Sequence, residues 1–271
     1  MRIAVSVDDH LDVNKLDWQA LVPRQAAYLR AHEAAAYLNA GDTFNDFNKS
    51  VTYFHALQNA VGSELPVRFL AGNHDLVKGI TYAQAQSAAD PLYLHERTLR
   101  LPGSDTVIIG NNGWYDYSLA PTDLAKTPAE FAQWKRAYWL DGAIDQPLSD
   151  AKRMARVLKT TEAALQQAGS QKVIYITHFV PRRDFMVYAP NRHYWQMATA
   201  LMGSSALGKL LEQYRVADVV FGHLHIRQPD QTFGHTTYHH QPVGYGLRRL
   251  NEWVGNDFFT EWVQTLVWLE V

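Results

Sequence analysis

The sequence has no cysteine among its 271 residues. That absence removes disulfides, thiolate metal sites, iron–sulfur clusters and cysteine nucleophiles together, so any bound metal must sit on nitrogen and oxygen ligands. Charge of one sign is missing too. Lys and Arg number 25 against 27 Asp and Glu, a net charge of −2, and no global field draws the chain to phosphate backbones or anionic lipid. Neither nucleic acid nor a membrane is therefore an expected partner. No apolar run approaches the roughly 18 residues that span a bilayer. The apolar N-terminal run Ile3–Val7 is too short for a signal h-region and meets Asp8-Asp9 at once, so the expected compartment is cytoplasmic. With 16 Gly and 11 Pro, the chain carries none of the excess that marks collagenous or low-complexity sequence. No Gly-x-Ser-x-Gly elbow is present, which leaves a serine hydrolase without support.

What is present is core-forming. Hydrophobic residues make up 47% of the chain and aromatics 12%, enough apolar surface to offset the entropy of ordering a full core. Short β-rich runs recur at 3–7, 34–38, 67–70, 106–109, 173–176 and 216–221, most ending abruptly in Gly, Asn, Asp or His. Helix-period segments lie between them at 45–61, 127–140, 149–168 and 204–214, with Thr127-Pro128 and Ser149-Asp150 as N-terminal signals. Strands alternating with helices imply an α/β protein with a largely parallel, covered sheet. From about Gly234 the pattern changes: Thr236, Tyr238 and His240 alternate, and Val263–Val271 is apolar. Both stretches read as antiparallel or edge strands. No repeat, linker or charge run marks a boundary, so residues 1–271 are expected to form one domain. The aromatic-rich segments 113–140 and 182–200 are candidate substrate-facing insertions within it.

Metal-competent groups close five of the strand-like runs: Asp8-Asp9-His10, Gly41-Asp42-Thr43, Gly72-Asn73-His74-Asp75, Thr177-His178 and Gly222-His223-Leu224-His225. Strand side chains repeat every two residues, so Asp8 and His10 are expected on one side, and His223 and His225 likewise, each pair able to bite a cation. Taken singly, each motif is weak, since an Asp at a strand end is commonly a cap and a buried His a hydrogen-bonded core residue. Five in one order are not a chance assembly. One decoy is set aside: Gly203–Lys209 has phosphate-loop spacing, but Leu210 stands where the magnesium-binding hydroxyl belongs.

The series Asp-x-His, Gly-Asp, Gly-Asn-His-Asp, His and Gly-His-x-His, from Asp8 to His225, resembles the calcineurin-like metallophosphoesterase superfamily. The resemblance implies a four-layer αββα fold holding two metals. It implies that Asp8, His10, Asp42 and His225 hold the first metal, and that Asn73, His178 and His223 hold the second, with Asp42 bridging. Two divalent ions about 3.5–4 Å apart polarise a phosphoryl oxygen and make hydroxide available near neutral pH, which slow phosphoester hydrolysis requires. A mixed nitrogen and oxygen shell suits Mn, Fe or Zn and is poor for Ca.

In the family pattern His74 faces the substrate phosphate, where it stabilises charge or protonates the leaving oxygen. Relatives often orient this His with an Asp three residues after the bridging Asp. Here that position is Asn45, with Asp46 one further on. A second departure is Phe179, which stands where many relatives carry another His after the ligand. Arg182 and Arg183 follow this strand end and are candidate phosphate-binding groups. The expected activity is hydrolysis of a phosphomonoester or phosphodiester, with a small phosphorylated substrate such as a nucleotide-like one. The alternatives are a nuclease of the same superfamily and a non-catalytic metal-binding scaffold.

Overall fold

The computed structural model describes residues 1–87 and 89–271. Its strands are β1 (Arg2–Ser6), β2 (Ala34–Asn39), β3 (Val67–Phe69), β4 (Arg97–Arg100), β5 (Val107–Gly110), β6 (Val173–Ile176), β7 (Asp218–Val220), β8 (Gln228–Phe233), β9 (Thr236–His240) and β10 (Val267–Glu270). They form two sheets, one of order β10-β1-β2-β3 and one of order β4-β5-β6-β7-β9-β8. The helices are α1 (Trp18–Ala31), α2 (Phe47–Val61), α3 (Tyr82–Ala85), α4 (Pro128–Tyr138), α5 (Asp150–Ala168), α6 (His193–Thr199), α7 (Ser205–Gln213) and α8 (Phe258–Thr265).

Strand alternation explains the layering. Ile3, Val5 and Val7 from the first sheet meet Ile108, Ile174, Ile176 and Val220 from the second in one buried cluster between the sheets. The intervening residues, Ala4 and Tyr37 on one side and Ile109, Tyr175 and Val219 on the other, turn outward into the cluster that includes helix residues such as Leu29, Phe54, Val157 and Leu207. Both faces of both sheets are thus covered, which is the expected αββα arrangement. Parallel pairing runs through β1-β2-β3 and through β5-β6-β7-β9. The edges β10, β4 and β8 are antiparallel. Parallel neighbours point their carboxyl ends the same way, which gathers the motif loops on one rim. No helix among the described residues is long and apolar enough to cross a membrane.

Helix caps fall near the polar signals. Thr127 forms a capping box with Glu130 ahead of α4, Ser149 caps α5, and Ser204 caps α7 through Ala206 N. Helix α2 begins two residues later than its apolar period suggests, because the Asp46 carboxylate accepts from Asn48 N as its cap. The Gly203–Lys209 segment is the start of α7 and follows a helix rather than a strand.

The C-terminal region has the expected antiparallel pairing, of β9 with β8 and of β10 with β1, and corrects the rest. Thr236–His240 is not an edge: β9 lies between β7 and β8, parallel to the first and antiparallel to the second. The edge is β8, whose sequence Gln228–Phe233 is too polar to read as a strand. Of the apolar tail, only Val267–Glu270 is strand, pairing with β1, whereas Val263–Thr265 ends α8. Buried Phe258, Trp262 and Thr265 recur at helical spacing, and Asp257 caps the N-terminus by accepting from Phe259 N and Thr260 N. Trp262 is fully buried and its indole N–H donates to the Tyr37 hydroxyl at 3.3 Å. Trp262→Ala is expected to destabilise the protein by about 3–5 kcal/mol. Urea unfolding would measure this, and an unshifted midpoint would show that α8 does not belong to the core.

Candidate metal centre

The first carboxylate, Asp8, lies just beyond β1 and not within it. Asp8, His10, Asp42 and His223 all take left-handed backbone angles, with φ of 58°, 45°, 60° and 69°. Such conformations at non-glycine residues cost on the order of 1–3 kcal/mol each and persist only where surrounding structure enforces them. The expectation that simple strand alternation would pair these residues is therefore wrong in its reasoning. Asp8 and His10 do converge, at 4.0 Å between Oδ1 and Nε2. His223 and His225 instead go to different groups of donors. One group joins Asp8, His10 and His225, a second joins Asp42, His178 and His223, and a third joins His10, Asp42 and His74.

The separations within these groups are short. His10 Nε2 is 3.0 Å from His225 Nε2 and 3.7 Å from Asp42 Oδ2. His225 Nε2 is 3.5 Å from Asp8 Oδ1. His178 Nε2 is 3.3 Å from both Asp42 Oδ2 and Asn73 Oδ1. A cation bonded at about 2.1 Å to two neighbouring donors holds them roughly 3.0–3.4 Å apart, so much of the cluster already has ligand-edge spacing.

Tautomers follow from the outer partners. The Ala40 carbonyl can only accept, so His178 donates from Nδ1 at 3.1 Å and keeps Nε2 for the cluster. His225 donates from Nδ1 to Glu252 Oε2 at 2.9 Å, again freeing Nε2. His223 donates from Nε2 to the Leu201 carbonyl at 3.3 Å, which leaves Nδ1. The Asn73 amide N–H donates to Asp141 Oδ1 at 2.8 Å, so its carbonyl oxygen faces His178. Lone pairs thus point at lone pairs across the cluster, an arrangement that needs positive charge at its centre. Protonation shows the same demand. Burial lowers His178 and His225, but Asp42 beside the first, and Asp8 with Glu252 beside the second, push them up to about 9 and about 10. Burial pushes His223 down to about 3, with the His178 charge adding to the shift. The donor chemistry fits a pair of cations.

Glycines keep the approach open. A Cβ at Gly72 would sit 2.0 Å from Asp42 Oδ1, and one at Gly222 would sit 2.4 Å from Asp8 Oδ2. The buried Asp75 carboxylate joins two of the loops, accepting from the backbone N–H groups of Asp42, Thr43, Phe44 and Gly72.

His74 sits at the edge of the cluster. Its Nδ1 lies 2.6 Å from Asn45 Oδ1, and its Nε2 lies 3.4 Å from the Tyr245 hydroxyl and 3.9 Å from Asp42 Oδ2. The orienting contact is thus a hydrogen bond donated by His74 Nδ1 to the neutral amide oxygen of Asn45. Asp46 is not part of it: that carboxylate caps α2 and pairs with Lys78 at 3.4 Å. Arg182 and Arg183 are also placed elsewhere. Arg182 pairs with Asp184 and Glu212, and Arg183 donates to the carbonyls of Ser118 and Ala120. Neither lines the cavity over the cluster, because the turn after Pro181 points both side chains toward other elements.

That cavity, about 400 Å³, is lined by Asp42, Asn73, His74, His223 and His225 at its base and by Tyr138, Trp139, Tyr194 and Trp195 on its wall. The other aromatics of the two segments serve the core or its margins. Trp114 and Tyr115 are fully buried and stacked at 4.5 Å, and the Tyr188 hydroxyl donates to the Leu119 carbonyl. Phe179 packs on His223 at 4.7 Å between ring centres, filling with carbon the place next to the second donor group.

A sequence model of calcineurin-like phosphoesterases matches residues 10–227. The chain belongs to the calcineurin-like phosphoesterase family. Among solved structures, this phosphoesterase is similar to the phosphopantetheinyl hydrolase of Mycobacterium tuberculosis, with a TM-score of 0.69, 19% identity, and coverage of 94% of this chain and 93% of that one. It is also similar to a dimetal phosphatase from Danio rerio, with a TM-score of 0.50, 11% identity, and coverage of 89% and 87%. At these identities the likeness is one of fold. No curated protein matches the sequence. The family makes this chain a metal-dependent hydrolase of phosphoric esters.

Glu252, Asp141 and Tyr245 carry no sequence signal, because each reaches the site from far along the chain and outside any motif. Glu252 acts on this phosphoesterase's cluster through His225, as the carboxylate of a carboxylate–histidine pair. Such partners raise ligand basicity, and losing one typically lowers metal affinity 10- to 100-fold. Glu252→Gln is accordingly expected to weaken manganese binding by roughly that factor. Titration calorimetry on the metal-stripped protein would show it, and an unchanged isotherm would mean that His225 needs no orienting partner.

Proposed function

We propose that this chain hydrolyses a phosphomonoester or phosphodiester by direct attack of water, at a site where Asp8, His10, Asp42, Asn73, His178, His223 and His225 hold two metal ions. The carrying observation is the position of Asp42. Its Oδ2 faces His10 on one side and His178 on the other, at 3.7 and 3.3 Å, and Asp42 belongs to two of the donor groups. On this reading Asp8, His10 and His225 complete one ion's set, Asn73, His178 and His223 complete the other's, and Asp42 serves both. The mixed imidazole, carboxylate and amide donors favour Mn, Fe or Zn. What the pair supplies when bound is Lewis acidity, which polarises a phosphoryl oxygen and makes hydroxide available near neutral pH.

The remaining work falls to this chain's side chains. With Nδ1 held by Asn45, His74 turns Nε2 toward the cavity, the position from which a protonated ring donates to a phosphoryl oxygen or to the leaving oxygen. Burial pushes His74 below its ordinary value, so the ring carries its proton less of the time but is the stronger acid toward the departing alkoxide when it does. The same reading takes residues 1–271 as one domain, because the site draws on loops of both sheets from Asp8 to Glu252.

The manganese-loaded protein is expected to turn over p-nitrophenyl phosphate or bis(p-nitrophenyl) phosphate above buffer, and chelation to abolish that turnover. His74→Ala should lower kcat by about 10²- to 10⁴-fold while elemental analysis still finds two metals per chain. A two-metal sample inert toward both esters would overturn the proposal, and an unchanged kcat in the variant would remove His74 from it.

A further inference from the structure

We infer that the substrate of this site carries its single phosphoryl group on an uncharged alcohol with a flat aromatic or apolar body. The inference rests on the phosphoester reading and adds to it what the leaving group must be.

The cavity has two unlike ends. Its base holds the donor cluster, whereas its wall is built from Tyr138, Trp139, Leu140, Tyr194, Trp195 and Ile226. Two polar tips of this wall are already used, and a third, the Trp139 indole N–H, is buried without a partner. The Tyr194 hydroxyl donates to the Tyr138 carbonyl at 3.1 Å, and the Trp195 indole N–H donates to the Val187 carbonyl at 2.7 Å. Beside the neutral Tyr138 hydroxyl, what the wall leaves for a ligand is ring face and aliphatic surface, none of it charged. Tyr138 and Tyr194 are 65% and 54% exposed, and Leu140 and Ile226 are exposed beside them. Large apolar side chains left open around one cavity mark a binding surface more often than an ordinary one.

Charge narrows the choice further. Among the described residues no Lys or Arg lines the cavity, and the fixed charge it holds beyond the cluster is the carboxylate of Glu252. That carboxylate already accepts from His225 and from Tyr245 N. Arg182 and Arg183, which begin the second aromatic segment, are engaged by Asp184, Glu212 and backbone carbonyls. A second phosphate or a carboxylate on the leaving group would be desolvated against aromatic faces with no cation to meet it. Diphosphates, bisphosphates and nucleic-acid backbones are disfavoured on the same ground. A neutral ring is favoured, since aromatic side chains bury and stack on it without any charge to satisfy.

Phosphonates, which are not hydrolysed, separate the two ends of the cavity. Methylphosphonate, benzylphosphonate and 4-carboxybenzylphosphonate would be titrated calorimetrically into the manganese-loaded protein, with quenching of tryptophan fluorescence as a second readout. Benzylphosphonate should bind about tenfold or more tighter than methylphosphonate, as expected for burial of one ring. The added carboxylate should take back most of that gain. In Tyr194→Ala and in Trp195→Ala the benzyl-to-methyl affinity ratio should fall toward unity, a ratio that is internally controlled for partial loss of folded protein. Equal binding of the three ligands, or tighter binding of the carboxylated one, would overturn this inference and leave the phosphoester reading standing. Failure of all three to bind would overturn that reading and this inference with it.

Discussion

Two buried carboxylates that must share one small volume set the terms for the rest of the molecule. Asp8 and Asp42 are almost completely shielded from water, and five imidazoles crowd them. In a low-dielectric interior such charges demand positive partners at close range. Where no ion is bound, protons on His178 and His225 meet the demand, and Asp8 is held down at about 2 against a burial that alone would raise it. Where ions are bound, those protons must leave, so occupancy and protonation of the cluster are one linked equilibrium. The left-handed backbone at Asp8, His10, Asp42 and His223 and the glycines at 72 and 222 are what such a convergence requires of the chain.

The site also joins the two sheets. Asp8, Asp42 and Asn73 follow β1, β2 and β3, whereas His178 and His223 follow β6 and β7. Cations held between them would therefore tie one sheet's carboxyl rim to the other's. A ligand that binds the folded state alone stabilises it by an amount that grows with its affinity, so cations bound there would place part of the fold's stability in the functional centre. The protein's own contribution is an outer set of acceptors, namely the Ala40 and Leu201 carbonyls, Asp141 and Glu252, which fix His178, His223, Asn73 and His225 before any ion arrives, whereas His10 Nδ1 has no hydrogen-bond partner.

How much of this could be read from the sequence depends on where each signal lives. The strand ends at Asp8, Asp42, Asn73, His178 and His223 were legible, because glycine, a short apolar run and a polar ligand type are local features. The helix starts at Thr127, Ser149 and Ser204 were legible for the same reason. The separation of His223 from His225 was legible through the family resemblance but not through strand spacing, since two residues apart on a strand would share a face, whereas the left-handed backbone at His223 sends them to separate groups. Helix α8 escaped notice because eight residues hold barely two turns of helical spacing and adjoin a true strand. Asp141 and Glu252 lie 68 and 27 residues from the side chains they orient. No pattern in a single sequence encodes pairings of that kind.

The aromatic segments show how one composition serves two ends. Trp114 and Tyr115 follow β5 directly and are drawn into the core against Phe179, whereas Tyr138 and Trp139 come at the end of α4, where the chain turns back over the cavity. The 3-10 turn that follows, Leu140–Ala143, does two things at once. Leu140 lines the cavity wall, and the next residue, Asp141, holds the Asn73 amide. A body that seats against Leu140 and Trp139 therefore presses on the segment that aims the Asn73 carbonyl oxygen into the cluster. Because protein interiors transmit small displacements through close packing, the wall and the donor set are not independent parts. In this molecule leaving-group recognition and metal-site geometry share a single short turn.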